Sequence, residues 1–152
     1  MKKLIVLVLL VIGGVYASAQ SAKPVYDAAL AKSLGADERG MKMYVLAILK
    51  SGTNKTDNKA TLDSLFRGHM ANISRLAANG KLIVAGPLEK NEKAYRGIFI
   101  FNVKTIAEAN ELLVTDPTIK AKVLDAELYE WYGSAALPVY MDTHKKIQKA
   151  QL

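Results

Sequence analysis

His69 and His144 are the only imidazoles in this chain of 152 residues, and there is no cysteine. Those counts bound the chemistry. Without a thiol there is no cysteine nucleophile, no cysteine-held zinc or iron–sulfur centre and no disulfide scaffold, and two histidines do not make a multi-histidine metal site. No metal and no cofactor is expected. What stays open is proton transfer by an imidazole, which needs a second group to hold one ring nitrogen as a donor so that the other acts as base.

His69 lies in a long helical stretch where Leu62, Leu65, Phe66, Ile73 and Leu76 form one apolar stripe at about 100° per residue. The ring falls near the centre of that stripe, so it is aimed inward, where an unpartnered imidazole costs about 1–3 kcal/mol. A core histidine bonded to a backbone carbonyl meets that demand as well as a site residue does, and helical position alone favours the core reading. Asp116 also reads two ways. Pro117 drives it out of the helical region and suits a first helical position, so Asp116 is a good N-cap for a turn through Lys120. A second carboxylate oxygen stays available to orient an imidazole. Gly86-Pro87 reads as a bulge or strand end, or as a place where a ligand approaches the backbone. Tyr44, Arg67, Arg96 and Trp131 are candidate ligand contacts, each set against plain packing or a solvated charge. Gly68-His69 belongs to no G-x-S-x-G elbow, so a nucleophilic serine is unsupported. His144, with Tyr140 and Ile147 at helical spacing in the tail, reads as exposed on a short surface helix or frayed end.

The elements that must position these residues follow from periodicity and punctuation. A short helix over 25–34, ending at Gly35 and carrying Ala28, Ala29, Ala31 and Leu34, is expected to pack on the main domain. The run MKMYVLAILK (41–50) predicts a strand. After a polar loop a long helix spans 60–79, closed by Gly80 at the position that favours a left-handed cap. KLIVAGPL then predicts a strand broken at Gly86-Pro87, and 97–103 another. Thr105 and Glu108 form a capping box that starts the next helix, and a last strand covers 127–132. The order is α, then β-α-β-β-α-β: an α+β, ferredoxin-like fold with a four-stranded antiparallel sheet and two helices on one face.

The strands do not alternate. Met43, Val45, Ala47 and Leu49 point one way and Tyr44, Leu46 and Ile48 the other, yet both sets are apolar; Ile98 and Ile100 oppose Phe99, Phe101 and Val103 in the same manner. Two helices cover one face only. The other calls for a partner, and a second copy packed sheet to sheet is the simplest, so a homodimer is expected.

At the N-terminus, Lys2 and Lys3 precede an apolar run of about 12 residues, followed by Ala17-Ser18-Ala19. This is the order of a secretory signal, with a run short of the roughly 20 residues that span a bilayer. The expected division is a signal at 1–19, a helical extension at 20–40, the α+β domain at 41–133 and a tail at 134–152. Cleavage after Ala19 would leave a periplasmic or secreted bacterial protein with no stable membrane anchor. The formal charge of +7 belongs to scattered Lys and Arg. No basic block with interleaved aromatics marks a nucleic-acid site, and none is expected.

The stretches GHMANISRLAANGKLIVAGPL, YRGIFIFNV and TDPTIKAKVLDAELYEWYG resemble the YciI-like (YCII-related) family over 41–133. The shared pattern is a helix histidine, a following G-x-L-x-x-A-G-P strand, a small-residue start to the next strand, an Asp-Pro after the second helix and an aromatic closing the last strand. The resemblance implies a dimeric α+β barrel of ferredoxin-like protomers, with His69 and Asp116 as a pair in a cleft lined by Gly86 and Pro87. Some members are associated with aromatic degradation, such as dehydrochlorination. This chain departs from the short stand-alone members in its export signal, its first helix and its tail. Three functions follow: a small-molecule enzyme using the His–Asp pair for isomerisation, elimination or proton abstraction; a non-catalytic periplasmic module binding a small ligand; and an interaction protein with a vestigial cleft.

Overall fold

A computed structural model describes residues 25–150; the expected signal segment and its cleavage site lie outside the described residues. The order is α1 (Ala28–Leu34), β1 (Met41–Ser51), α2 (Lys59–Ala78), β2 (Leu82–Pro87), β3 (Tyr95–Phe101), α3 (Ile106–Leu113), α4 (Pro117–Lys120), β4 (Leu124–Ser134), a 3-10 turn (Leu137–Val139) and α5 (Tyr140–Ile147). The strands form one antiparallel sheet in the order β2-β3-β1-β4. This is the ferredoxin-like α+β arrangement expected from the sequence. Among the described residues no helix is long and apolar enough to cross a membrane.

The core lies between the sheet and the two long helices. Val45, Ala47 and Leu49 of β1 and Phe99 and Phe101 of β3 meet Ile73 and Leu76 of α2 and Ala109 and Leu113 of α3. The strand residues in that set all have one parity, so α2 and α3 cover one face. Each large side chain buried there contributes about 1.5–3 kcal/mol. The helix ends follow local chemistry. Asn58 Oδ1 accepts from Thr61 N at 3.0 Å and starts α2. Gly80, at φ +65°, ends it, and Lys81 N returns to Leu76 O at 2.9 Å. The Thr105–Glu108 capping box opens α3, as the sequence predicts.

The sequence reading misses some bounds for identifiable reasons. β4 is longer than expected because it pairs with β1 from Met41↔Ser134 to Ser51↔Leu124. β3 starts at Tyr95, which pairs with Lys50, and stops at Phe101, because Asn102 turns away to bond Lys81 O and Gly80 O. α1 begins at Ala28 because Asp27 caps it. α1 fully buries no residue: Leu30 is 52% exposed, and of the residues expected to pack only Ala31 and Leu34 are partly covered.

Candidate functional site

His69 sits midway along α2 and faces the sheet. Its ring stacks on Phe99 (centroids 5.9 Å apart, planes at 22°) and meets Phe66 edge-on at 6.0 Å. Asp116 arrives from the other side, at the junction of α3 and α4. Its Oδ2 accepts from His69 Nδ1 at 2.7 Å. The two residues are 8% and 1% exposed, so the bond forms where water competes little and electrostatics is strong. Both roles foreseen for Asp116 coexist because it has two oxygens. Oδ1 caps α4, accepting from Thr118 N at 2.9 Å and Thr118 Oγ1 at 2.6 Å, while Oδ2 is left to the imidazole.

Three features bring the capping turn this close to α2. Gly68 has no side chain where Pro117 packs; a Cβ there would stand 2.7 Å from Pro117 Cγ. Asn72 Nδ2 reaches Asp116 Oδ2 at 3.4 Å, while Asn72 Oδ1 accepts from Arg75 Nη2 at 2.6 Å and Thr115 Oγ1 at 3.0 Å. The loop after β1 grips the far side of α4: Gly52 N bonds Val123 O, Asn54 N bonds Lys122 O and Asn54 Nδ2 bonds Ala121 O, each at 2.9 Å. None of these residues stood out in the sequence as part of a site. The available signal was the spacing of His69, Asn72 and Arg75, three residues apart along one helix edge, with glycine beside the histidine.

Burial works to raise the Asp116 pKa, but hydrogen bonds from His69 and Thr118 and the nearby imidazole outweigh it, holding the carboxyl below the usual carboxylate range. Nε2 of His69 has no hydrogen-bond partner among the described residues. The arrangement is therefore an imidazole gripped at one nitrogen and without a partner among the described residues at the other. Among the described residues no group of three or more His, Cys, Asp or Glu is placed to hold a metal ion.

The other residues singled out in the sequence are not brought to this pair. Tyr44 and Trp131 have the opposite strand parity and lie on the face away from the helices, paired across β1 and β4 with centroids 5.6 Å apart. Tyr44 is fully buried, its hydroxyl donates to Ser134 O at 2.8 Å, and burial pushes its pKa up. Gly86 and Pro87 are at the end of edge strand β2, paired with Ile98 and Gly97. Pro87 and Arg96 line a groove of about 480 Å³ formed with the β2–β3 loop, which does not include His69 or Asp116. Arg67 is exposed. His144, expected to be exposed, is half-buried: α5 docks on β2 through a hydrogen bond from the Tyr140 hydroxyl to Ile83 O, and the His144 ring packs edge-on to Tyr140 at 6.4 Å.

No protein-family model matches the chain, and no curated protein matches it. Among solved structures it is similar to a 5-chloro-2-hydroxyhydroquinone dehydrochlorinase from Burkholderia phenoliruptrix, in complex with 2,5-dihydroxybenzoquinone, with 20% identity and a TM-score of 0.40 over 59% of this chain and 93% of that one. At that score the likeness carries no weight for the site, which stands on its own geometry.

Proposed function

We propose that this chain is an exported small-molecule enzyme of the YciI-like type, in which His69 moves a proton and Asp116 holds the ring. The observation that supports this reading most is the 2.7 Å bond from Nδ1 to a buried carboxylate, with Nε2 unpartnered among the described residues. A histidine needed only for packing is satisfied by one carbonyl. This one has an ionised partner whose own lone pairs are supplied with donors, the arrangement that keeps an imidazole oriented and stabilises the imidazolium formed when it takes a proton. Nε2 would remove a proton from a carbon beside a carbonyl. Isomerisation follows if the proton returns at another carbon, and elimination if a leaving group departs with the electron pair. Asp116 stays ionised throughout.

The reading includes a homodimer formed through the sheet face that the helices leave open. Val84, Leu46, Ile48, Ile98 and Ile100 lie half-buried there, with Tyr129 48% exposed. A second copy laid on that face would cover it.

Proton abstraction is testable without knowing the substrate. The protein is incubated in D2O with a panel of small ketones, lactones and hydroxyquinones, and loss of the proton beside the carbonyl is followed by NMR. Exchange with at least one compound, reduced by about 10²–10⁴-fold in His69→Gln, is the expected result. Compounds that raise the melting temperature without exchanging, in wild type and His69→Gln alike, would make the chain a binding module instead.

A further inference from the structure

Three donors converge on Asp116 whatever the state of the ring: Thr118 N and Thr118 Oγ1 on Oδ1, and Asn72 Nδ2 on Oδ2, where His69 Nδ1 also stands at 2.7 Å. The Asn72 amide has little choice of orientation, because the Arg75 guanidinium, which can only donate, stands 2.6 Å from its oxygen. Its NH2 group must face the carboxylate. Against the upward push of burial, these donors hold the carboxyl below the usual carboxylate range, so it sits there ionised.

That has a consequence for the ring. An ionised carboxylate only accepts, so the Thr118 hydroxyl spends its single hydrogen on Oδ1, at 2.6 Å. The same Thr118 Oγ1 lies 3.5 Å from His69 Nδ1 and has only lone pairs left to offer in that direction. Both polar atoms next to Nδ1, Asp116 Oδ2 and Thr118 Oγ1, are therefore acceptors. Nδ1 must carry a hydrogen in the neutral ring as well as in the charged one.

We propose that Thr118 is a positioning residue that locks neutral His69 as the Nδ1–H tautomer, with the lone pair on Nε2. Thr118 never touches a substrate. Fully buried, it acts by holding Oδ1 so that the other oxygen alone meets the imidazole. Without the hydroxyl, Oδ1 keeps only one donor. The carboxylate is then free to rotate away from Nδ1, which removes the acceptor that keeps the ring hydrogen there and lets the hydrogen sit on Nε2 instead. The inference rests on the proton-transfer reading for its importance, since a base acting through Nε2 needs this tautomer, but the tautomer is measurable whether or not any substrate turns over.

The test is a long-range ¹H–¹⁵N correlation of the full chain labelled at histidine, recorded at about pH 8.5, where an ordinary imidazole is neutral. The wild-type His69 should show a protonated Nδ1 and an unprotonated Nε2. Thr118→Val, nearly isosteric and still carrying the capping amide, should change the ratio of the two tautomers by about tenfold towards Nε2–H, in line with losing one hydrogen bond to a charged group. Thr118→Ser should restore the wild-type spectrum. Should the valine variant fail to fold, Thr118→Ala replaces it, with the same expected change. A wild-type ring protonated at Nε2, or a tautomer ratio indifferent to loss of the hydroxyl, would overturn the proposal and leave Thr118 as a helix cap. A locked tautomer with no proton exchange in any compound would instead sink the enzyme reading alone.

Discussion

On the helix-covered face of the sheet, Val45, Ala47, Phe99 and Phe101 are at most 3% exposed, and the one ionisable pair among them has every buried polar atom partnered. One residue along in the same strands, Leu46, Ile48, Ile98 and Ile100 remain half-exposed on the other face. Both faces carry apolar residues through β1 and β3, but the second also carries the Lys50–Glu127 ion pair near its end, and the helices lie over the first alone. The covered face is a finished core, rigid enough to hold a histidine and an aspartate from distant elements at 2.7 Å. The open face is half-buried along its middle, with Tyr44 fully buried and Tyr129 and Trp131 exposed, an apolar patch of a kind that often marks an interaction surface.

Substitutions on the two faces should separate them. Phe101→Ala empties a fully buried site and should lower the unfolding free energy by about 3–5 kcal/mol, read by chemical denaturation. Asp116→Ala should cost about 3 kcal/mol, because it removes a buried partner of His69 and the cap of α4 together. Asp116→Asn retains the cap and should cost less; if the two variants are equally destabilised, the His69 bond contributes little. Gly68→Ala sets the loss of close packing against Pro117, about 1–3 kcal/mol, against a gain of about 1 kcal/mol in helix propensity. The balance should be mildly destabilising, with the His69 resonances shifted. On the open face, Ile48→Lys should change protomer stability by less than about 1 kcal/mol but convert a dimer to a monomer in sedimentation velocity. A wild-type chain that sediments as a monomer at micromolar concentration would remove the sheet-to-sheet dimer altogether.

Acid should act most on the covered face, because the open-face Glu127, also held low by Lys50, is partly solvent-exposed and its ion pair is worth little. Asp116 has its carboxyl held below the ordinary value, so it contributes stability above about pH 4 that is lost as pH falls through the lower folded value. Thermal melts from pH 6 downward should therefore fall more steeply for wild type than for Asp116→Asn, and equal slopes would mean that the carboxylate is not preferentially ionised in the folded state.

Much of this architecture is legible along the chain. The α2 stripe, the Thr105–Glu108 capping box, the Gly80 cap and the Asp116-Pro117 helix start are local signals, each settled by hydrogen bonds or torsions within a few residues. The non-alternating strands also foretold a sheet with two apolar faces. Less legible was which face each strand residue serves. Tyr44 and Val45 are both fully buried neighbours, and only register and helix placement decide that Tyr44 is turned away from His69. The length of β4 was set by eleven-residue pairing with β1, a long-range match that its own composition does not announce.

The sequence by itself determined the chemistry available to this protein: one inward imidazole, an aspartate fixed before a proline, no thiol, and a fold whose elements can be ordered from periodicity and caps. Those follow from side-chain types and short-range backbone preferences. Only the tertiary structure decided that the imidazole meets that aspartate, since 47 residues separate them and the meeting depends on a missing Cβ at Gly68 and a carbonyl grip on the α4 turn. It also decided that Asn72, Arg75, Thr115 and Thr118 belong to the site, because a hydrogen-bond network is a property of distances between elements, which no single segment carries.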